Sequence, residues 1–279
     1  MSFYTSLSGL KAAQADLSTI SNNVANVNST AFKKSVANFG DIFSASPMQT
    51  TKQVAGQGVR VQSIAQQYTQ GTIMTTDKTL DLAITGEGFF TVKGKDDGQI
   101  AYTRNGAFAV NDDRNAVDTT GALLQVIPVD PTTGVPTVAS PVPTGSLVNL
   151  NIPTVFPAGS TNQLNSVGVN DKGQISAIYA DGSTVFLGST AMATFNSLEG
   201  LRQRGDAHWV QTIDSGVPVI GTAGQGSYGT IRSGSLERSN VDITEELVNL
   251  ISAQRNFQAN SKAIEAANTL TQTIVNIRT

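Results

Sequence analysis

Gly224-Gln225-Gly226-Ser227-Tyr228-Gly229 matches the G-x-G-x-x-G spelling in which a glycine-rich turn lets backbone N–H groups approach a pyrophosphate. Val217 to Ile220 supplies a short strand ahead of it. The dinucleotide site then needs a helix N-terminus, whereas Thr230-Ile231-Arg232-Ser233-Gly234 reads as extended and breaks again at glycine. The spelling is therefore read as a plain glycine-rich turn, and no cofactor is expected. His208 is the only histidine, beside the only tryptophan, Trp209, and there is no cysteine. Without a second imidazole or a thiolate, transition-metal ligation is not expected, and His208 reads as a packed or solvent-facing ring. The acidic pairs Asp96/Asp97 and Asp112/Asp113 would suit acid–base work or calcium only with a second carboxylate cluster at ligand spacing, and none is present. Both sit in turn-forming sequence. Lys33-Lys34 and Arg202/Arg204 are too sparse to be more than solvated surface or pairwise contacts. No catalytic constellation emerges, so the chemistry of this chain is sought in its surfaces.

Two long amphipathic runs at the chain ends organise the rest. Asp242 followed by Glu245 has the spacing of a capping box, and it opens a segment free of Pro and Gly that continues to the C-terminus. Its apolar residues Ile243, Leu247, Leu250, Ile251, Phe257 and Ile264, then Ala263, Ala267, Leu270, Ile274 and Ile277, describe one helical stripe that rotates slowly around the axis. Such a helix is roughly 55 Å long at 1.5 Å per residue. Near the N-terminus, Phe3, Leu10, Leu17 and Val24 recur every seven residues, with Ser6, Ala13, Ile20 and Val27 three residues after each. Asn28-Ser29-Thr30 closes that helix. Gln254, Ser261 and Asn268 lie on or beside the C-terminal stripe, and Gln14, Ser21 and Asn28 flank the other, so a seam between the two is thin and partly polar. Either the helices form an intramolecular antiparallel pair, or they finish folding only against copies of themselves.

Between the helices the rhythm is two-fold. Ala31 to Gly58 is irregular, polar and soft. From Val59 onward, Val59 to Ile64, Leu80 to Ile84 and Phe89 to Val92 alternate like strands. Turn clusters at Lys95–Gly98, Asn111–Asn115, Asn170–Gly173 and Ala180–Ser183 read as consecutive hairpins. Pro128 to Pro157 is rich in Pro, Val and Thr and reads as an extended connector. The expected organisation is an N-terminal helix over 1–30, a flexible assembly segment over 31–58, β structure over 59–239 with a Pro-rich connector near 128–165, and a C-terminal helix over 240–279. The fold class is α+β, with the terminal helices pairing as a coiled coil around a mostly antiparallel β middle. With 39% hydrophobic and 14% charged residues over 279 positions, the chain is long enough for real cores. A net charge of -3 offers no basic surface to nucleic acid or anionic lipid. No apolar run approaches the length of a membrane span, and the N-terminus lacks the pattern of a Sec-type signal.

Four motifs carry a resemblance. Leu7-Ser8-Gly9-Leu10, followed by Ile20-Ser21-Asn22-Asn23-Val24-Ala25-Asn26-Val27-Asn28-Ser29-Thr30-Ala31-Phe32-Lys33, resembles the N-terminal signature of the axial proteins of the bacterial flagellum, the rod and hook family. Leu80 to Ile84 with Gly86, Gly88, Phe89 and Phe90, and Tyr102-Thr103-Arg104-Asn105-Gly106-Ala107-Phe108, resemble that family's central β motifs. Gly234 to Asp242, continuing through Leu247 to Phe257, resembles its C-terminal signature. Ser215-Gly216-Val217-Pro218, the glycines Gly221, Gly224, Gly226 and Gly229, and Met1-Ser2-Phe3 are closer to the hook branch than to the distal rod branch. The Pro-rich region is too short for the outer β domain that hook proteins usually insert there. The resemblance implies a structural, self-assembling subunit and no enzyme. Its terminal helices would line an inner tube through seam residues Phe3, Leu10, Leu17, Ile20, Val24, Val27, Leu247, Leu250, Phe257, Ile264, Leu270 and Ile274. It further implies a homopolymer meeting other axial proteins (rod, hook–filament junction, hook cap), export through the flagellar type III apparatus without a cleaved signal peptide, and an extracellular location. Distal rod is the alternative in the same class, and a glycan-binding β module the alternative from another.

Overall fold

The computed structural model describes residues 2–43, 56–95, 98–156 and 162–277. The Asp96/Asp97 pair, the middle of the 31–58 segment, part of the Pro-rich connector and the last two residues lie outside the described residues. The chain divides into a helical unit, drawn from residues 1–28, 33–68 and 241–279, and a β unit, drawn from residues 29–32 and 69–240.

The helical unit contains α1 (Ser2–Ala25), β1 (Ser35–Asp41), β2 (Val59–Gln66) and α2 (Ile243–Ile277). Asp242 starts α2 much as its spacing predicts: its Oδ1 accepts from the N–H groups of Thr244 at 2.8 Å and Glu245 at 3.2 Å. Those backbone donors, Glu245 first, hold its carboxyl below the usual value. The 35 residues of α2 span about 52 Å. α1 ends earlier than its heptads suggest. Val27 falls beyond the last helical residue and lies half-buried in a turn. Asparagines compete for the backbone here: the Asn26 side chain donates to Asn22 O at 3.0 Å, and the Asn26 N–H is shared between the carbonyls of Asn22 and Asn23. The stretch read as irregular also contains a strand, β1, which pairs antiparallel with β2 through a bulge at Asn38/Phe39.

The β unit holds β3 (Ile73–Thr75), β4 (Leu82–Thr85), β5 (Phe89–Lys93), β6 (Ile100–Thr103), β7 (Ala109–Val110), β8 (Ala116–Val117), β9 (Leu123–Ile127) and β10 (Val148–Asn149). It continues with β11 (Leu164–Val169), β12 (Gln174–Tyr179), β13 (Thr184–Thr190), β14 (Met192–Thr194), β15 (Arg202–Gly205), β16 (His208–Val210), β17 (Val219–Gly221), β18 (Thr230–Ser233) and β19 (Ser235–Glu237). Its main sheet runs β11-β12-β13-β9-β5-β6-β16-β15, with antiparallel pairing throughout. The glycines Gly224 and Gly226, at φ +73° and +60°, form the turn between β17 and β18, so a strand and not a helix follows the G-x-G-x-x-G spelling.

Successive side chains of β5 serve two cores. Phe90 joins an aliphatic core with Leu82, Ile84, Val92, Leu124, Val126, Ile175 and Ile231, where it meets Phe108 edge-on at 5.6 Å. Leu150 and Ile152, from the Pro-rich stretch, are buried in the same core. Phe89 points the other way into an aromatic cluster, with Trp209 at 5.6 Å and Phe195 at 6.1 Å, and Tyr102 lies 4.8 Å from Phe195.

Two buried side-chain pairs cross this unit. The Glu237 carboxylate accepts from Gly71 N at 2.8 Å and Arg104 Nη1 at 3.4 Å, while Arg104 Nη2 donates to Gly86 O and its guanidinium lies 5.4 Å over Phe89. Gly71 has no room for a side chain, since a Cβ would fall 2.0 Å from Arg238 O. The only histidine, His208, is packed: its Nε2 is 2.6 Å from Asp118 Oδ2, while Asp118 Oδ1 accepts from Thr120 N, Thr120 Oγ1 and Ala122 N. Burial pushes the Asp118 carboxyl up, but the hydrogen bonds from His208, Thr120 and Ala122 outweigh it and hold it below the ordinary carboxylate value.

Glu237→Ala should destabilise the β unit by roughly 3–5 kcal/mol, because it leaves the Arg104 charge buried and unpaired. Chemical unfolding monitored by Trp209 fluorescence would show it, and the double change Arg104→Met/Glu237→Leu should recover part of the loss. Asp118→Ala should cost roughly 3 kcal/mol at neutral pH. Since folding depresses the Asp118 pKa, the part of its stabilisation that depends on the charge is present above the unfolded value near 3.9 and is lost as pH falls through the folded one. The gap in thermal stability between parent and variant should therefore narrow below about pH 4.

Candidate assembly surface

The helical unit is built around an antiparallel pair. Asn23 of α1 meets Glu246 at the start of α2, and Gly9 faces Asn260, where a Cβ would come 2.7 Å from the Asn260 side chain. Continued at the same pace, this register brings the start of α1 opposite residues near Ala267, so the end of α2 has no α1 beside it. Between the helices the buried apolar groups are small or few: Ala12, Ala13 and Ile20 on α1, and Ala253 on α2.

Polar groups do much of the joining. Asn23, 1% exposed, donates from Nδ2 to Ser35 O at 2.8 Å and to Glu246 Oε2 at 3.2 Å, and its Oδ1 accepts from Ser35 N at 2.9 Å. One side chain thus holds the end of α1, the start of β1 and the first turn of α2. Lys34 Nζ lies 3.5 Å from Glu245 Oε1. Ser8 Oγ accepts from Val59 N at 3.2 Å and donates to Thr5 O, which ties β2 to α1. Asp16 lines a groove of about 200 Å³ with Asn23, Glu246 and Asn256, and its partial burial raises its pKa.

The expected seam residues separate into two sets. Ile20 is buried, and Leu10, Leu17, Val24, Leu250 and Ile264 are half-buried. Phe3, Leu247, Phe257, Leu270 and Ile274 are exposed. The single rotating stripe of α2 is therefore covered only in part, where α1 runs beside it. Leu250, Ala253, Asn260, Ile264 and Ala267 are covered wholly or in part, while Ile243, Leu247, Val248 and Ile251, then Leu270, Ile274 and Val275, are open. Glu246, Ala253 and Asn260 were absent from the seam residues read from periodicity because they are small or polar. Their three- and four-residue spacing around Leu250 and Ile264 is the signal that would have found them.

Fully burying a Leu, Ile or Val side chain is worth roughly 1.5–3 kcal/mol. The open aliphatics of α2 thus represent on the order of 10 kcal/mol available to association, before the costs of ordering and docking are subtracted. No helix among the described residues is long and apolar enough to cross a membrane.

Asn23→Ala should cost roughly 2–4 kcal/mol in the helical unit, because it removes a donor to a buried carboxylate and both bonds to Ser35. Loss of helicity at lower denaturant by far-UV circular dichroism, with the Trp209 transition unchanged, is the expected result.

Comparison with known proteins bears on what this surface serves. Residues 3–33 match the family described as flagella basal body rod protein, residues 83–177 the flagellar hook protein FlgE/F/G D1 domain, and residues 232–277 the flagellar basal body rod FlgEFG protein C-terminal family. The flagellar hook protein FlgE of Escherichia coli (strain K12) is 28% identical over an alignment that takes in all of both chains. The flagellar basal-body rod protein FlgG of Agrobacterium fabrum is 33% identical, over 93% of this chain and 92% of that one. That of Bacillus subtilis (strain 168) is 32% identical, over 99% and 98%.

Proposed function

This chain belongs to the flagellar hook and rod protein family, a structural subunit of the flagellar axis and not an enzyme, and from that premise we propose that it is the subunit of the hook, the curved flexible tube that passes torque from rod to filament. The observation that carries the reading is the open aliphatic face of α2, which a single chain leaves in water and which copies of the same helix would cover. In the proposed tube α1 and α2 pair as a coiled coil and pack against their neighbours around a central export channel. The seam residues Phe3, Leu10, Leu17, Ile20, Val24, Leu247, Leu250, Phe257, Ile264, Leu270 and Ile274, with Val27 just beyond the helix, are the proposed assembly positions. The 31–58 segment braces adjacent subunits, and the β unit makes further subunit contacts. Export proceeds through the flagellar apparatus without a cleaved signal peptide, to a place outside the cell where rod, junction and cap proteins are the neighbours.

A seam with Gly9, Asn23, Glu246 and Asn260 in it suits this work. Many modest contacts can exchange as a curved tube turns, whereas tightly interlocked apolar packing resists. The N-terminal Met1-Ser2-Phe3 and the Ser215 to Pro218 stretch support the hook assignment. One observation favours the distal rod instead. The rod relatives align over 272 and 292 positions, close to this chain's 279 residues, while the hook relative needs 412.

Concentrated full-length protein should form tubes by electron microscopy, with a rise in helicity on assembly; curved tubes support the hook and straight, stiff ones the rod. A chain that stays monomeric at all concentrations, with or without a cap protein, would overturn the reading. The double change Leu247→Ser/Ile251→Ser should leave monomer unfolding within about 0.5 kcal/mol, as expected for exposed positions, and abolish tubes.

A further inference from the structure

We propose that the turn Thr212 to Gly216, together with Val217, is a rigid apolar knob that seats against a neighbouring copy of this chain in the assembled tube, an inference that rests on the tube-forming function above. Ile213 is 99% exposed and Val217 80%. Neither side chain stabilises the fold of its own chain, yet the turn that displays them is held from within. Ser215 is fully buried; its Oγ accepts from Thr212 N at 2.9 Å and lies 3.0 Å from Thr212 O, to which it donates. Thr212 Oγ1 donates to Gly200 O at 2.5 Å and accepts from the N–H groups of Asp214 and Ser215 at 3.2 and 3.3 Å. Gly200 lets that turn settle directly onto its backbone, since a Cβ there would lie 2.4 Å from Ser215 N, and Gly216 takes the left-handed conformation at φ +76°. Single exposed aliphatics are ordinary on a protein surface. Two β-branched ones on a turn anchored by a buried hydroxyl are preorganised, so docking them costs little conformational entropy.

Area identifies the occupant. Burying each side chain removes on the order of 100 Å² of apolar surface. A stable one-to-one complex needs about 800 Å² on each partner. The knob is therefore too small to hold a separate partner by itself. It is sufficient where the subunit is already held by its helices and the same small contact recurs at every lattice position, which is the situation of a neighbouring copy. Linking two weak sites on one body turns the second contact into an intramolecular one and multiplies its effect.

The chain contains no cysteine, so Ile213→Cys introduces a unique thiol into the full-length protein. A maleimide should label it freely in the unassembled chain and at least about tenfold more slowly in tubes. Equal rates in both states would overturn the proposal and assign the surface to a partner of another kind. Ile213→Asp provides the second measurement. It should leave the unfolding curve unchanged and raise the concentration needed for assembly by about tenfold or more; assembly at the parent concentration would overturn the knob. If the parent chain forms no tubes, the functional reading fails and the knob with it. If tubes form and the thiol stays open, only the knob fails.

Discussion

The seam between α1 and α2 constrains the whole helical unit because it contains so little hydrocarbon. Gly9 lets Asn260 come close, Ala13 and Ala253 fill the middle, and Asn23 joins Glu246 where a larger aliphatic pair would ordinarily sit. Helices this long are not held by propensity alone, and most helical stability in proteins comes from packing an apolar face. Here much of that face points away from α1. Most of the larger aliphatics of α2 are left open, including those of the final turns that run past the start of α1. A narrow internal seam and a broad external face are two sides of one arrangement: whatever α2 does not give to α1 it offers to another surface.

The β unit is organised on the opposite principle. Phe89 and Phe90 send adjacent rings into two separate cores, and the aliphatic one is closed by strands from distant parts of the chain as well as by Leu150 and Ile152. Two of its buried carboxylates have fixed partners. Glu237 is held by Gly71 and Arg104, and Asp118 by His208 and its own turn. Pairs of this kind add little net stability over an apolar replacement, but they penalise every arrangement that separates them. They therefore specify how strands distant along the chain meet. A body of this sort can carry small, exact surface features, such as the Thr212 to Gly216 turn, without needing them for its own folding.

The contrast between the two units fits a subunit of a polymer. One part has its hydrophobic core inside the chain, and the other has part of its hydrophobic surface waiting outside. The division also explains why no pocket chemistry was needed to account for the molecule. His208 is held against Asp118, and Asp118, Asp130 and Asp181 accept from N–H groups of their own turns.

By itself the sequence determined the local elements. Heptad spacing announced α1, a slowly rotating apolar stripe opened by Asp242 announced α2, the Asn170–Gly173 and Ala180–Ser183 clusters marked hairpins, and the stretch after Gly229 read as the extended chain that β18 is. These follow from short-range backbone and side-chain chemistry, which acts before any distant residue is chosen. Periodicity also found the apolar residues of α2, but it could not say which would be covered, because one helix can offer two faces and only the position of α1 decides between them. For the same reason the early end of α1 and the strand inside the irregular segment were out of reach: both depend on Asn23 and Asn26 competing for backbone groups, and on β2 arriving to pair with β1. Asn23 with Glu246, Arg104 with Glu237 and Asp118 with His208 lie far apart along the chain. Each residue alone reads as ordinary polar surface, and only the tertiary structure, by excluding water and bringing the partners within bonding distance, makes them the fixed points of the fold.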